Sequence, residues 1–309
     1  MKEQVIDLWK ASFGDSEEFT QFYFERVYKE ENVLTLCENG RVISALQMRP
    51  YEMNYYGTIL PVAYVCDVCT LPSERGKGWV SRLMRQALEV MRERGYALTT
   101  LIPATEGLFN LYERFGYAKA FDHSSEVHFS EDEPPEPPFY RIVPGRQLPP
   151  ETVFAYYDRK QRERPCAILH SARDWEILLQ DCRMVGGDAW LALWHDTPIG
   201  LALAAPADGM MSVREFVGEE PDIRLTLVQH LLAQSGCDMA IVSLPPLLST
   251  AHPYGMARVL DRERMTDLYL SHRPEDNTPL HDTDIVRLTQ TLLRYNRREA
   301  WMNLMLDGN

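Results

Sequence analysis

One run restricts this chain more than any other: Val68-Cys69-Thr70-Leu71-Pro72-Ser73-Glu74-Arg75-Gly76-Lys77-Gly78-Trp79-Val80. An apolar, strand-like segment, 62–71, stops at Pro72. A turn with two glycines follows and opens directly into an amphipathic helix pattern over about 78–94, ended by Gly95. Its apolar positions, Val80, Leu83, Met84, Ala87, Leu88 and Met91, form one face at i, i+3, i+4 spacing. Residues 97–102 then read as a strand. A helix N-terminus carries unpaired N–H groups and a partial positive charge. Gly76 and Gly78 let a ligand come close to the backbone, and Arg75 and Lys77 add charge at the rim. Such a turn can hold a pyrophosphate; a surface turn with incidental glycines is the plainer reading. Neither GxxxxGK[ST] nor a complete GxGxxG is present.

The flanking segments set the architecture. Residues 5–13 and 17–28 have helical spacing, with Asp15-Ser16 as a start signal for the second. A short strand, 33–38, turns at Asn39-Gly40 into longer strands at 42–53 and 62–71. After the strand at 97–102 come a short helix, 108–115, ended by Gly116, and a strand from about Tyr117. A meander that leads into β-α-β-α-β predicts a partly antiparallel sheet flanked by helices. A doubly wound nucleotide fold would alternate from its start.

Ser130-Glu131-Asp132-Glu133-Pro134-Pro135-Glu136-Pro137-Pro138 suits neither helix interior nor central strand, and reads as an extended linker. The division expected is 1–130, a linker at 131–138, and a second unit at 139–309. The second unit repeats the rhythm: helix 174–182, strands 190–194, 199–205 and 211–217, helix 223–234, strand 239–244. Strand-like runs, a helix at 284–295 and an apolar run, 301–306, complete the chain. The fold class expected is therefore α+β (mixed α/β), two similar units in tandem, each a mostly antiparallel mixed sheet flanked by helices.

A net charge of −13 with only short basic clusters, 159–164 and 294–298, argues against a nucleic-acid partner. The negative field suits a cationic acceptor such as an amine. Cys66 and Cys69 form a lone CxxC within a strand, and no second pair completes a metal site, so no metal is expected. Six cysteines in so long a chain make no disulfide framework. No signal peptide or membrane span is recognisable, which points to a cytoplasmic setting without a membrane partner. The assembly state is left open.

The stretch around Arg75 resembles the acetyl-CoA motif of the GNAT acyltransferases, R/Q-x-x-G-x-G/A. Arg75 and Gly78 stand at its first and fourth positions, and Val80 where the family usually has Gly or Ala. A larger residue there resembles the enhanced-intracellular-survival branch, which has tandem GNAT-like domains. Tyr112-Glu113-Arg114-Phe115-Gly116-Tyr117 is similar to the family's Y-x-[RK]-x-G-[FY] segment. The resemblance covers about 1–130 and makes acetyl-CoA the implied cosubstrate. It implies that Val68, Cys69 and Thr70 meet the pantetheine arm. Backbone groups of Arg75, Gly76, Lys77, Gly78, Trp79 and Val80 would hold the pyrophosphate, and Tyr112 would protonate the departing thiolate. Members of that branch carry a third, sterol-carrier-like domain, which is expected here to be truncated or missing.

A general base must take the acceptor's proton. Asp67 lies beside the thioester position, although strand alternation could turn it to the other face. Glu106 sits on a strand–helix loop. The branch also brings its C-terminal carboxylate to the site, which here would be Asn309. The second unit lacks the phosphate turn: Glu219, Glu220 and Asp222 occupy the corresponding place and would repel an anion. It is expected to wall the acceptor cleft. Phe22, Tyr23, Phe24 and Tyr28 read either as core packing or as pocket lining. The function expected is transfer of an acetyl group from acetyl-CoA to an amine, on a small molecule or peptide, by direct attack in a ternary complex. The alternatives are a non-catalytic acyl-CoA-binding module and an interaction protein with a vestigial fold.

Overall fold

The computed structural model describes residues 1–131, 137, 139–247, 249–276, 280 and 284–304. Most of the acidic, proline-rich segment, 132–136 and 138, lies outside the described residues. Before it run α1 (Lys2–Ser12), α2 (Glu17–Arg26), β1 (Val33–Glu38), β2 (Arg41–Tyr55), β3 (Thr58–Thr70), α3 (Trp79–Glu93), β4 (Leu98–Leu101), α4 (Glu106–Glu113) and β5 (Ala118–Phe129). After it come β6 (Arg141–Pro144), α5 (Pro150–Arg162), β7 (Cys166–Leu169), α6 (Ala172–Met184), β8 (Asp188–Trp194), β9 (Thr197–Ala207), β10 (Met210–Gly218), α7 (Pro221–Ser235) and β11 (Met239–Leu244). The last elements are β12 (His252–Val259), α8 (Arg262–His272), α9 (Ile285–Leu292) and β13 (Ala300–Trp301).

Local chemistry places the ends of these elements. Ser16 accepts from the Phe19 amide and starts α2. Ser171 and Asp174 close a capping box on α6. Asn39 and Gly40, at φ +51° and +77°, make the tight turn between β1 and β2. The stripe on α3 buries Leu83, Met84, Ala87 and Met91 completely. They pack on Leu46, Met48, Ala63 and Val65 of β2 and β3. Each large side chain buried there contributes about 2 kcal/mol.

β2 and β3 pair antiparallel, and β3 then pairs parallel with β4. In the second half β9 and β10 pair antiparallel, α7 follows, and β10 pairs parallel with β11. The hairpin–helix–parallel strand unit thus occurs twice. β5 joins the two: residues 118–123 face β12, and residues 124–129 face β11. The halves also interleave. β12 lies between β4 and β5, β7 pairs with the end of β2, and β13 pairs with β7.

α5, α8 and β12 lack clear sequence signals. α5 begins at a proline pair, and its outer face carries Arg159–Glu163 and Arg162–Asp158 ion pairs at 3.0 and 2.7 Å. Those residues read as a basic cluster, while Val153, Tyr156 and Tyr157 form the buried face. β12 contains Pro253 and Gly255, two weak strand formers. Among the described residues no helix is long and apolar enough to cross a membrane.

Candidate active site

The β3–β4 ladder is short. Val62, Ala63 and Tyr64 pair with Leu98, Thr99 and Thr100, and among the described residues no strand partner follows on that edge. From Val65 onward β3 stays paired only with β2. A groove therefore opens between β3 and the chain leaving β4, walled on one side by peptide groups free to bond a ligand.

The groove leads to the N-terminus of α3. Gly76 and Gly78 sit at φ +80° and +83°, where a side chain would be strained, and a Cβ at either would meet only open space. Gly78 is the cap, with no side chain bonded to the first turn and no acidic residue in that turn. The first intrahelical bond runs from the Arg82 amide to the Gly78 carbonyl at 3.2 Å, so the amides before it point outward. Arg75 and Lys77 are exposed at the rim. Arg75 Nε reaches the Thr70 carbonyl at 3.4 Å, and Lys77 pairs with Glu74 at 2.8 Å. The Trp79 side chain packs with Leu8, Val42, Ile43 and Leu71 beneath the turn. Val80 is half-buried against the core beneath α3. Cys69 and Thr70 are buried. Ser44 Oγ bonds the Cys69 carbonyl at 2.7 Å and Thr70 Oγ1 at 2.8 Å, which fixes β3 to β2 as the groove opens.

A bulge settles the orientation of Asp67. Ala45 faces Cys69 and Gln47 faces Cys66, so two residues of β3 oppose one of β2. Asp67 takes the extra position at φ +57°, a region that aspartate tolerates better than most residues. Val68 consequently returns to the α3 side, while Cys66 and Asp67 both face away from it. Cys66 Sγ lies 3.1 Å from Asp67 Oδ2, Gln47 Nε2 donates to the same oxygen at 2.9 Å, and the Tyr23 hydroxyl donates to it as well. Burial raises the Asp67 pKa, and the bond from Tyr23 partly opposes the rise. Burial also pushes the Cys66 thiol well above its usual range, which leaves it a protonated neighbour rather than a nucleophile.

Tyr112 approaches the groove from the other side of the strand. It lies on α4, 7% exposed, in one apolar cluster with Val68, Leu101 and Tyr117. Burial, with Cys66 nearby, pushes its pKa up to about 12. Among the described residues its hydroxyl has no hydrogen-bond partner. The phenol and the Asp67 carboxylate thus flank the open edge of β3 from opposite faces. Glu106 is exposed at the start of α4 and lines a separate cleft with Lys119, His252 and Tyr254; among the described residues no hydrogen bond or ion pair links it to Asp67 or Tyr112. Asn309 lies outside the described residues.

Three site residues carry no motif. Tyr23 stands in the aromatic stripe, whose other members, Phe22, Phe24 and Tyr28, pack with Trp9 and Ile177. Gln47 and Arg49 are the available signal: two polar residues at alternate positions within a mostly buried stretch of β2. Arg49 is 8% exposed, its guanidinium 5.3 Å from the Tyr51 ring centre and 3.7 Å from Asp174 on α6. Asp174 of the second half thus lies beside Arg49 of β2.

A splayed parallel pair opening onto a glycine-capped helix defines a class, and the comparisons agree with it. Residues 2–120 match the family model described as an acetyltransferase (GNAT) domain. A curated relative from Streptomyces avermitilis, an uncharacterized N-acetyltransferase, is 26% identical over 153 residues, 45% of this chain. The match spans 35% of that relative's length. Eis1 from Mycobacterium abscessus shares the fold at a TM-score of 0.66 and 15% identity, over 86% of this chain and 73% of its own. A GCN5-related N-acetyltransferase from Kribbella flavida gives 0.67 and 19%, over 84% and 68%. Residues 2–120 thus match a GNAT acetyltransferase domain, and the described residues share the fold of these solved N-acetyltransferase structures.

Proposed function

We propose that this protein transfers an acetyl group from acetyl-CoA to an amine held in the same complex. The observation that carries this reading is the continuity of three features: the open edge of β3, the uncapped N-terminus of α3, and a carboxylate and a phenol on either side of that edge. The site fits acetyl-CoA chemically. The edge at 65–70 suits the amides of a pantetheine arm, and the outward amides of the first turn of α3, with Arg75 and Lys77, suit a pyrophosphate. Acetyl-CoA supplies an activated thioester. Asp67, its basicity raised by burial, accepts the proton that the amine loses on attack. Tyr112 delivers its proton to the departing sulfur, and its high pKa keeps that proton in place until charge develops there.

In this reading residues 1–130 hold the cofactor and both proton-transfer groups, 131–138 are the link, and 139–309 close the acceptor side. The corresponding helix of the second half, α7, starts at Pro221 with Asp222 in its first turn, which suits no pyrophosphate. We assign that half no CoA. Tyr112→Phe removes only the hydroxyl. Turnover of the variant should fall by roughly two to four orders of magnitude, the usual contribution of a general acid, with acetyl-CoA affinity unchanged. Turnover equal to the parent's would remove Tyr112 from the reaction. Binding of acetyl-CoA without turnover in the parent would favour a sensor.

A further inference from the structure

Arg49 has no role in the proton transfers above, and its surroundings are unusual for a buried cation. Buried guanidinium groups ordinarily bond carboxylates directly, and leaving the charge unsatisfied is costly. Arg49 is 8% exposed, yet among the described residues no carboxylate oxygen comes within hydrogen-bond distance; the nearest is Asp174 Oδ1 at 3.7 Å. The other oxygen of Asp174 already accepts from the Ser171 amide at 3.1 Å and the Ser171 hydroxyl at 2.5 Å. Asp174 balances the charge without occupying the planar fork. The Tyr51 ring centre lies 5.3 Å from the guanidinium, within the range of a cation–π contact.

Its position relative to Asp67 supplies the second argument. Gln47 bonds Asp67, and Gln47 and Arg49 are successive residues on one face of β2, roughly 7 Å apart. An amine and a carboxylate on one carbon, each with a hydrogen bond of about 2.9 Å to the protein, suit protein groups presented from strand positions spaced in this way. We propose that the acceptor is an amine with a carboxylate on the neighbouring carbon, an α-amino acid or a peptide-like equivalent, with Arg49 binding the carboxylate while Asp67 receives the amine proton. This rests on the acetyl-transfer reading above. It narrows the expectation drawn from the net charge of −13, because an acidic protein needs a dedicated cation to hold an anionic acceptor group.

The test uses the full chain with acetyl-CoA and the common L-amino acids, each offered as free acid, as amide and as decarboxylated amine, with products identified by mass. The expected result is a kcat/KM at least tenfold higher for the acid in the best series. Arg49→Gln should abolish that preference through KM, with acetyl-CoA binding retained, and Arg49→Lys should restore part of it. Amides or simple amines turned over as well as the acids would overturn the inference and leave acetyl transfer standing; so would an unchanged preference in a folded Arg49→Gln. The acid–amide comparison on the parent holds even if that variant fails to fold. Acetyl-CoA binding without acetylation of any form would overturn both readings.

Discussion

Single residues carry both the chemistry and the strain of this protein. Asp67 would point into the α3 core in a regular strand. An unfavourable φ of +57°, held by bonds to Tyr23 and Gln47, turns it to the face opposite α3. Glu215 is the counterpart in the second half. It sits at a bulge in β10, fully buried, with Arg164 at 3.5 Å and Asn303 Nδ2 at 3.0 Å. Burial raises its pKa from 4.5 to about 7, and Arg164 limits the rise. The unfolded chain gives up this proton near pH 4.5 and the folded chain near 7, so in that window the folded state holds more protons. This group's contribution to stability therefore falls as pH rises from about 4.5 to 7. Glu215→Gln cannot ionise. Its stability relative to the parent should improve between pH 5 and pH 7.5, by at most roughly 3 kcal/mol, as read from urea midpoints. His123, lowered to about 4 by burial, gives the opposite slope, but it is common to both proteins and cancels. A difference that is the same at both pH values would contradict this account of Glu215.

Elements were legible where the sequence carries period and punctuation together. The α3 stripe between Gly78 and Gly95 fixes a helix, and Asn39-Gly40 fixes the hairpin, because only certain residues tolerate the backbone there. The glycine turn before α3 was legible for the same reason. The acceptor side was not. A bulge has no sequence signature here, so nothing in Cys66-Asp67-Val68 shows that two neighbours share a face. Gln47, Arg49 and Tyr23 meet Asp67 only through strand register and the packing of α2. The C-terminal segment is a similar case. The His123 and His170 rings bond the carbonyls of Met302 and Asn303 at 2.7 and 2.9 Å, and Asn303 reaches the Arg214 carbonyl at 2.7 Å. These contacts join residues far apart in the chain and leave no local pattern.

At the scale of the whole molecule, two similar units share one framework instead of standing side by side. β12 separates β4 from β5, and Met302 and Leu304 complete the core under Tyr51, Met53 and Val62. A chain of residues 1–130 alone would expose the β4 and β5 edges and lose that packing. It should therefore show no cooperative unfolding transition, and a soluble fragment that unfolds cooperatively would contradict the interleaving as a source of stability. The proposed site has the same organisation: in that reading the first half supplies the cofactor turn and both proton-transfer groups, and α6 of the second half places Asp174 beside Arg49. The most direct test of the central claim is thermal unfolding of the full chain with and without acetyl-CoA, alongside Gly78→Glu. The substitution puts a side chain at φ +83° and a negative charge at the cap, so it costs some stability by itself, and the shift caused by ligand is compared within each protein. A cosubstrate at about 100 times its dissociation constant stabilises by about 2.7 kcal/mol. The account predicts a clear upward shift in the parent and none in Gly78→Glu; equal shifts in both, or no shift in the parent at millimolar acetyl-CoA, would contradict it.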